Sequence, residues 1–235
     1  MFRTVLAAET KALDGRVQTR REVRMRRFSA GVVIGIAVLG CAKAPTLGQA
    51  QGNPMSDLRA EIASRVAMDQ AVQRELSDRI QAGQPIGPAS ARQDSVFSAN
   101  LEWMRLVLAQ HGWPGRRLVG DEGSHGAWLL LQHADRDTAL QRTALQLLEA
   151  AVRDTDASRR DLAYLTDRVR LAEGRLQVYG TQLQYDSRGC ASPKPSEEPA
   201  QLDARRASVE LEPMVQYVQT VMAALGRASQ CAPPK

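Results

Sequence analysis

The chain of 235 residues is 43% hydrophobic and 24% charged, which suits one packed domain and argues against wholesale disorder. Only 4% of residues are aromatic, so the core falls to Leu, Val, Ile, Ala and Met. The net charge of +5 lies entirely in the first forty residues, which hold eight basic and three acidic side chains; the remaining 195 hold 23 of each. The folded part therefore lacks the basic excess of a nucleic-acid binder, and no nucleic-acid partner is expected.

The first readable element is a leader. Arg26 and Arg27 precede an uncharged, mostly apolar run of thirteen residues, Phe28 to Gly40, and Cys41 follows at once. This is the layout of a secretory signal over residues 25–40. As a helix the run would reach only about 20 Å, short of a hydrocarbon core near 30 Å. Val38-Leu-Gly-Cys41 resembles the lipobox of bacterial lipoproteins, which implies lipidation at Cys41 and an envelope-anchored product. Cleavage after Gly48-Gln49-Ala50, releasing a soluble protein, and a buried domain helix are the alternatives. Residues 1–24 are polar and Arg-rich and read as an extension from a start assigned too early, with Met25 opening the signal.

Residues 41–55 read as lipid attachment and flexible tether, 56–226 as a single domain, and 227–235 as a flexible tail. Ser56 caps a helical pattern to about Ala82, with Leu58, Ile62, Val66, Val72, Leu76 and Ile80 at a 3.6 period. Gly83, Pro85, Gly87 and Pro88 predict a loop over 83–93. A second helix runs from about Ser95 to His111 and stops at Gly112 and Pro114. Residues 113–123 predict turns, and a short apolar helix follows from Ala127 to about Ala134. Asp135 or Asp137 caps the next helix, with Leu140, Ala144, Leu147 and Ala151 inward. Ser158 and Asp161 resemble a capping box for a helix to Glu173. Val178, Tyr179 and Thr181 predict a short strand or extended segment over 176–183, and 186–200 reads as loop. Closing helices cover 203–209 and 213–226, with Val215, Val218 and Met222 inward. The expected fold is mainly α, six to seven helices with at most a short β element.

With Cys41 in the leader, Cys190 and Cys231 are an even pair in an oxidising compartment, and a disulfide between them is expected as one of two possible states. The three histidines, His111, His125 and His133, have no i, i+4 spacing, and no metal site or cofactor is expected.

Polar residues at inward positions carry the functional reading. Asp69 points between Leu58 and Ile62, in the middle of an apolar stripe, with Arg65 one turn earlier; a carboxylate there is costly unless paired or wet. Gln132, His133 and Asp135 follow the apolar run Trp128 to Leu131. His133 there could be a base, a metal ligand or a satisfied core histidine. Asp167 pairs with Arg168 in sequence, and Gln177, Tyr179 and Thr181 share one face if extended, with Gln182 beside them. Amides and hydroxyls without an evident nucleophile suit hydrogen-bonding of a neutral polar ligand.

These residues also carry a resemblance. His111-Gly-Trp-Pro114, Leu118-Val-Gly120, Gln132-His-Ala-Asp135, Ala163-Tyr-Leu-Thr-Asp-Arg-Val169 and Gln177-Val-Tyr-Gly-Thr-Gln182 resemble, in that order, the bacterial domain-of-unknown-function family 6624. Asp69-Gln70 and Asp203-Ala-Arg-Arg206 followed by Glu210-Leu-Glu-Pro213 extend it over about residues 56–222. After Gln182 the chain departs from the family pattern with a Cys/Ser/Pro-rich stretch. The resemblance implies a fold and candidate positions and supplies no activity. The expected function is binding of a small polar ligand or peptide by Asp69, Asn100, Gln132, His133, Asp167, Gln177, Tyr179 and Gln182, gathered in one buried polar pocket. The rivals are a hydrolase with His133 as general base, oriented by Asp69 or Asp167, and a purely structural or interaction module.

Overall fold

The computed structural model describes residues 54–134, 137–228 and 231. The leader, Cys41, the tether up to residue 53 and Asp135 lie outside the described residues. Seven α-helices are present among them: α1 (Pro54–Gln81), α2 (Gly87–His111), α3 (Arg116–Leu131), α4 (Thr138–Arg153), α5 (Arg159–Ala172), α6 (Leu202–Ser208) and α7 (Met214–Ala224). A two-stranded antiparallel hairpin, β1 (Leu183–Tyr185) and β2 (Ala191–Pro193), lies between α5 and α6. The fold is mainly α.

α1 and α2 form an antiparallel pair, and α3 returns alongside α1. The α1–α3 contact is close because Gly126 faces α1: a Cβ there would come within 2.8 Å of Ile62 Cγ2. A larger residue would push α3 outward and move His133, which follows its C-terminus. α4 packs on α5, and one apolar cluster runs through Ile62, Met104, Trp128, Leu148, Leu165 and Val221.

Several expectations change. The loop before α2 is shorter than expected, because Pro88 stands in the first turn, where its fixed φ favours the helix and its missing N–H costs nothing. The turn-rich stretch 113–123 is largely helical: α3 begins at Arg116 and only kinks at Gly120, where φ is 75°. Its start is held from 39 residues away, the Asp156 carboxylate accepting from the Arg117 backbone N–H at 2.8 Å. The strand falls later than the 176–183 reading, at Leu183–Tyr185, pairing with residues that read as loop. Asp137 caps α4 through the Leu140 N–H, and Ser158 caps α5 through the Asp161 N–H. Val215 is exposed rather than inward, and Tyr217, Val221 and Met222 form the buried face of α7. Cys190 and Cys231 are joined by a disulfide, which ties the β1–β2 turn to the chain end.

Candidate functional site

Antiparallel packing of α1 and α2 sets polar residues in matched layers along their seam. Asp69 on α1 meets His133, which arrives from the C-terminal end of α3: His133 Nδ1 lies 2.9 Å from Asp69 Oδ1. Both side chains are only 1% exposed. A carboxylate oxygen only accepts, so Nδ1 carries the ring proton. Nε2 then accepts from the Gln73 amide at 3.0 Å, one turn along α1. Phe97 of α2 stacks on the imidazole, centroids 4.4 Å apart at 13°. The second Asp69 oxygen accepts from the Gln70 amide at 3.2 Å. The pair is thus buried, oriented and bonded at both ring nitrogens.

One turn toward the α1 N-terminus lies a more open layer. Arg65 donates from Nη1 to Asn100 Oδ1 at 3.3 Å and lies over the Trp103 ring at 4.5 Å. Its Nε is 2.7 Å from Glu61 Oε1. The Arg65 side chain is 25% exposed, and Asn100 beneath it is 3% exposed. Asn100 Nδ2 is buried and has no hydrogen-bond partner among the described residues.

Asp167 belongs to a different group. Its Oδ1 accepts from the backbone N–H of Val178 and Tyr179, and its Oδ2 from the N–H of Tyr179 and Thr181 and from Thr181 Oγ1, at 2.7 to 3.2 Å. Gln177 staples the same loop: its amide donates to the carbonyls of Gln182 and Lys194 and accepts from the Gln182 N–H. Arg206 of α6 donates to the Tyr179 and Glu212 carbonyls while lying over Tyr217, whose hydroxyl donates to the Thr181 carbonyl. Burial pushes the Asp167 carboxyl above its usual value, and the four donors pull it back part of the way. Burial and the nearby Asp167 charge likewise push the Tyr179 phenol up.

Seven of the eight expected residues therefore fall at two places rather than in one pocket. Asp69, His133 and, through Arg65, Asn100 share the α1–α2 seam. Asp167, Gln177, Tyr179 and Gln182 hold the loop after α5. Asp167 does not orient His133, because the hydrogen bonds of its two oxygens go to that loop. Gln132 stands beside His133 in sequence, and its buried Nε2 has no partner among the described residues. A shallow groove of about 500 Å³ on the outer face of α1, lined by Ala71, Arg74, Glu75, Asp78 and Arg79, touches none of these residues.

Sequence reasoning missed Gln73, Trp103, Arg206 and a second histidine–carboxylate pair, His125 Nδ1 to Asp161 at 3.0 Å. Gln73 was within reach, being four residues from Asp69 on the same stripe. It also missed Gln141 on α4, fully buried with neither amide atom bonded among the described residues. Such a residue costs stability, so Gln141→Leu, similar in size, is expected to raise the unfolding free energy by about 1–3 kcal/mol in urea titration. A fall instead would mean the amide is satisfied in solution.

The model of a family described as "Family of unknown function (DUF6624)" matches residues 56–229. No curated protein and no solved structure matches the chain.

Proposed function

We propose a ligand-binding role for this chain, which belongs to the DUF6624 family: an envelope-anchored helical domain that holds a small polar ligand or a peptide at the α1–α2 seam. The observation that carries this reading is Asn100. A buried amide donor without an acceptor costs about 1–3 kcal/mol, and it lies next to a partly exposed arginine and an indole ring. That cost is recovered when a ligand supplies the acceptor. The Asp69–His133–Gln73 group, sealed behind this layer, fixes the helix spacing that keeps Asn100 in place.

The 2.9 Å bond from His133 to Asp69 favours one alternative, a hydrolase on an envelope substrate with His133 as base. Against it stand the occupied Nε2, the burial of the ring, and the absence of a hydroxyl or thiol among the named seam residues. The anchoring part of the proposal rests on Arg26 to Cys41, and loss of detergent-phase partitioning in Cys41→Ala is its check.

A thermal-shift panel of short peptides, sugars, amino acids and carboxylates separates the readings. A ligand at a hundredfold its Kd adds about 2.7 kcal/mol to stability. At least one compound is expected to raise Tm in the wild type and not in Asn100→Ala. If no compound raises Tm in the wild type, the binding reading fails. Turnover of a peptide or ester that vanishes in a folded His133→Gln variant would establish the hydrolase instead.

A further inference from the structure

Resting on the binding reading above, we propose that Asn100 recognises an uncharged secondary amide, with Arg65 as its movable cover. Arg65 already has an acidic partner in the seam, and Asp69 is held by the Nδ1–H of His133 rather than by a cation. Glu61 lies 2.7 Å from Arg65, and Asp69 lies 2.9 Å from His133. No surplus positive charge is left on the two turns of α1 that flank Asn100, so an incoming anion would have to compete with Glu61 for Arg65 and would face Asp69 one turn away. A neutral ligand meets neither obstacle.

The Asn100 amide suits a secondary amide in particular. Its Nδ2 has hydrogens to donate and no acceptor. Among the described residues its Oδ1 is held by the 3.3 Å bond from Arg65 alone. When the long Arg65 side chain swings out, it keeps its pairing with Glu61, so no charge is stranded. Asn100 then offers a donor and an acceptor side by side. A ligand carbonyl can accept from Nδ2 and a ligand N–H can donate to Oδ1. A trans amide holds these groups on opposite edges, so an extended peptide fills both from the two amides that flank one Cα, an acetamido group fills one of them, and an ester, a carboxylate or a phosphate has no N–H for Oδ1. The same movement uncovers the Trp103 face, now beneath the Arg65 guanidinium, and gives the ligand a flat apolar surface to lie on. The geometry thus pairs one polar anchor with one aromatic platform. Both a peptide backbone and an acetamido sugar carry the required group.

The test uses the purified full chain, 15N-labelled, with the Asn100 side-chain NH2 signals identified by their loss in Asn100→Ala. Four probes are titrated at millimolar concentration: N-acetylalanine methylamide for peptides, N-acetylglucosamine for acetamido sugars, and sodium acetate and phosphate for anions. One or both amide probes are expected to shift the Asn100 signals, and which one does so identifies the source. Acetate and phosphate are expected to leave them unmoved. Arg65→Met removes the cover without a new charge and is expected to tighten amide binding about three- to tenfold, since the open state no longer competes with the closed one. Asn100→Asp, which keeps the shape and loses the donor, is expected to weaken it at least about tenfold, the equivalent of one hydrogen bond. Anions that shift the signals and lose binding in Arg65→Met would overturn the proposal, as would amides that leave Asn100 unmoved. If other compounds raise Tm without touching Asn100, this inference falls and a binding role elsewhere survives. If nothing raises Tm, both fall.

Discussion

His133→Ala is expected to lower the unfolding free energy by about 3–5 kcal/mol, and Asp69→Asn by only about 1 kcal/mol, in urea denaturation of the two variants. The asymmetry follows from what each change leaves behind. Removing the imidazole strands the Asp69 carboxylate, 1% exposed, with one amide donor at 3.2 Å and no ring N–H. It also opens a void against Phe97, whose ring stacks on His133 at 4.4 Å. Asp69→Asn keeps an oxygen facing Nδ1–H and removes a buried charge, so loss and relief nearly offset. Total stabilities of domains this size run to about 5–15 kcal/mol, so the alanine variant would sit close to the unfolding threshold. Equal, small effects from both variants would mean that water reaches the pair, and the case for His133 as a working base would strengthen.

How much of this was readable in advance depends on the distance over which each feature is specified. Asp69 could be read because the 3.6 period of Leu58, Ile62, Val66 and Val72 fixes its direction from neighbours on the same helix. Its partner could not, because His133 is 64 residues away and nothing local says which inward polar groups meet. The same limit explains the start of α3. Gly112, Pro114, Gly115 and Gly120 look like a turn in isolation, and the cap that turns them into a helix entry comes from Asp156. Val178, Tyr179 and Thr181 have strand propensity, yet strand pairing there is limited to one isolated bridge between Gln177 and Ser196. Asp167 draws the N–H groups of Val178, Tyr179 and Thr181 to one carboxylate, which curls the chain and uses the donors a ladder would need. Tertiary hydrogen bonding overrides propensity at that point. Both groups of candidate residues were therefore visible as inward polar positions, while their division into a sealed pair, a partly open rim and a loop clamp was not.

That clamp makes the second large prediction. Asp167→Ala is expected to lower the unfolding free energy by about 3–5 kcal/mol, Asp167→Asn by about 2 kcal/mol, and Thr181→Val by about 1 kcal/mol. Alanine leaves three backbone N–H groups and the Thr181 hydroxyl without their shared acceptor. Part of that loss is recovered, because the variant no longer holds a carboxylate away from water. The raised pKa expresses the same cost: the folded chain holds the Asp167 proton more tightly than the unfolded chain does. This group therefore contributes stability that is full below its ordinary value of 3.8 and lost as pH rises through the folded value. The four donors narrow that loss, which is why the alanine cost stays large at neutral pH. Hydrogen exchange gives the residue-level check. In Asp167→Ala the amides of Val178, Tyr179 and Thr181 should lose protection, while the Gln182 amide, held by the Gln177 side chain at 2.7 Å, should keep most of its own. Protection lost equally at all four positions would show that Asp167 and Gln177 act as one unit. Protection unchanged at all four would mean that Arg206 and Tyr217, which bind the Tyr179 and Thr181 carbonyls from α6 and α7, hold the loop without the carboxylate.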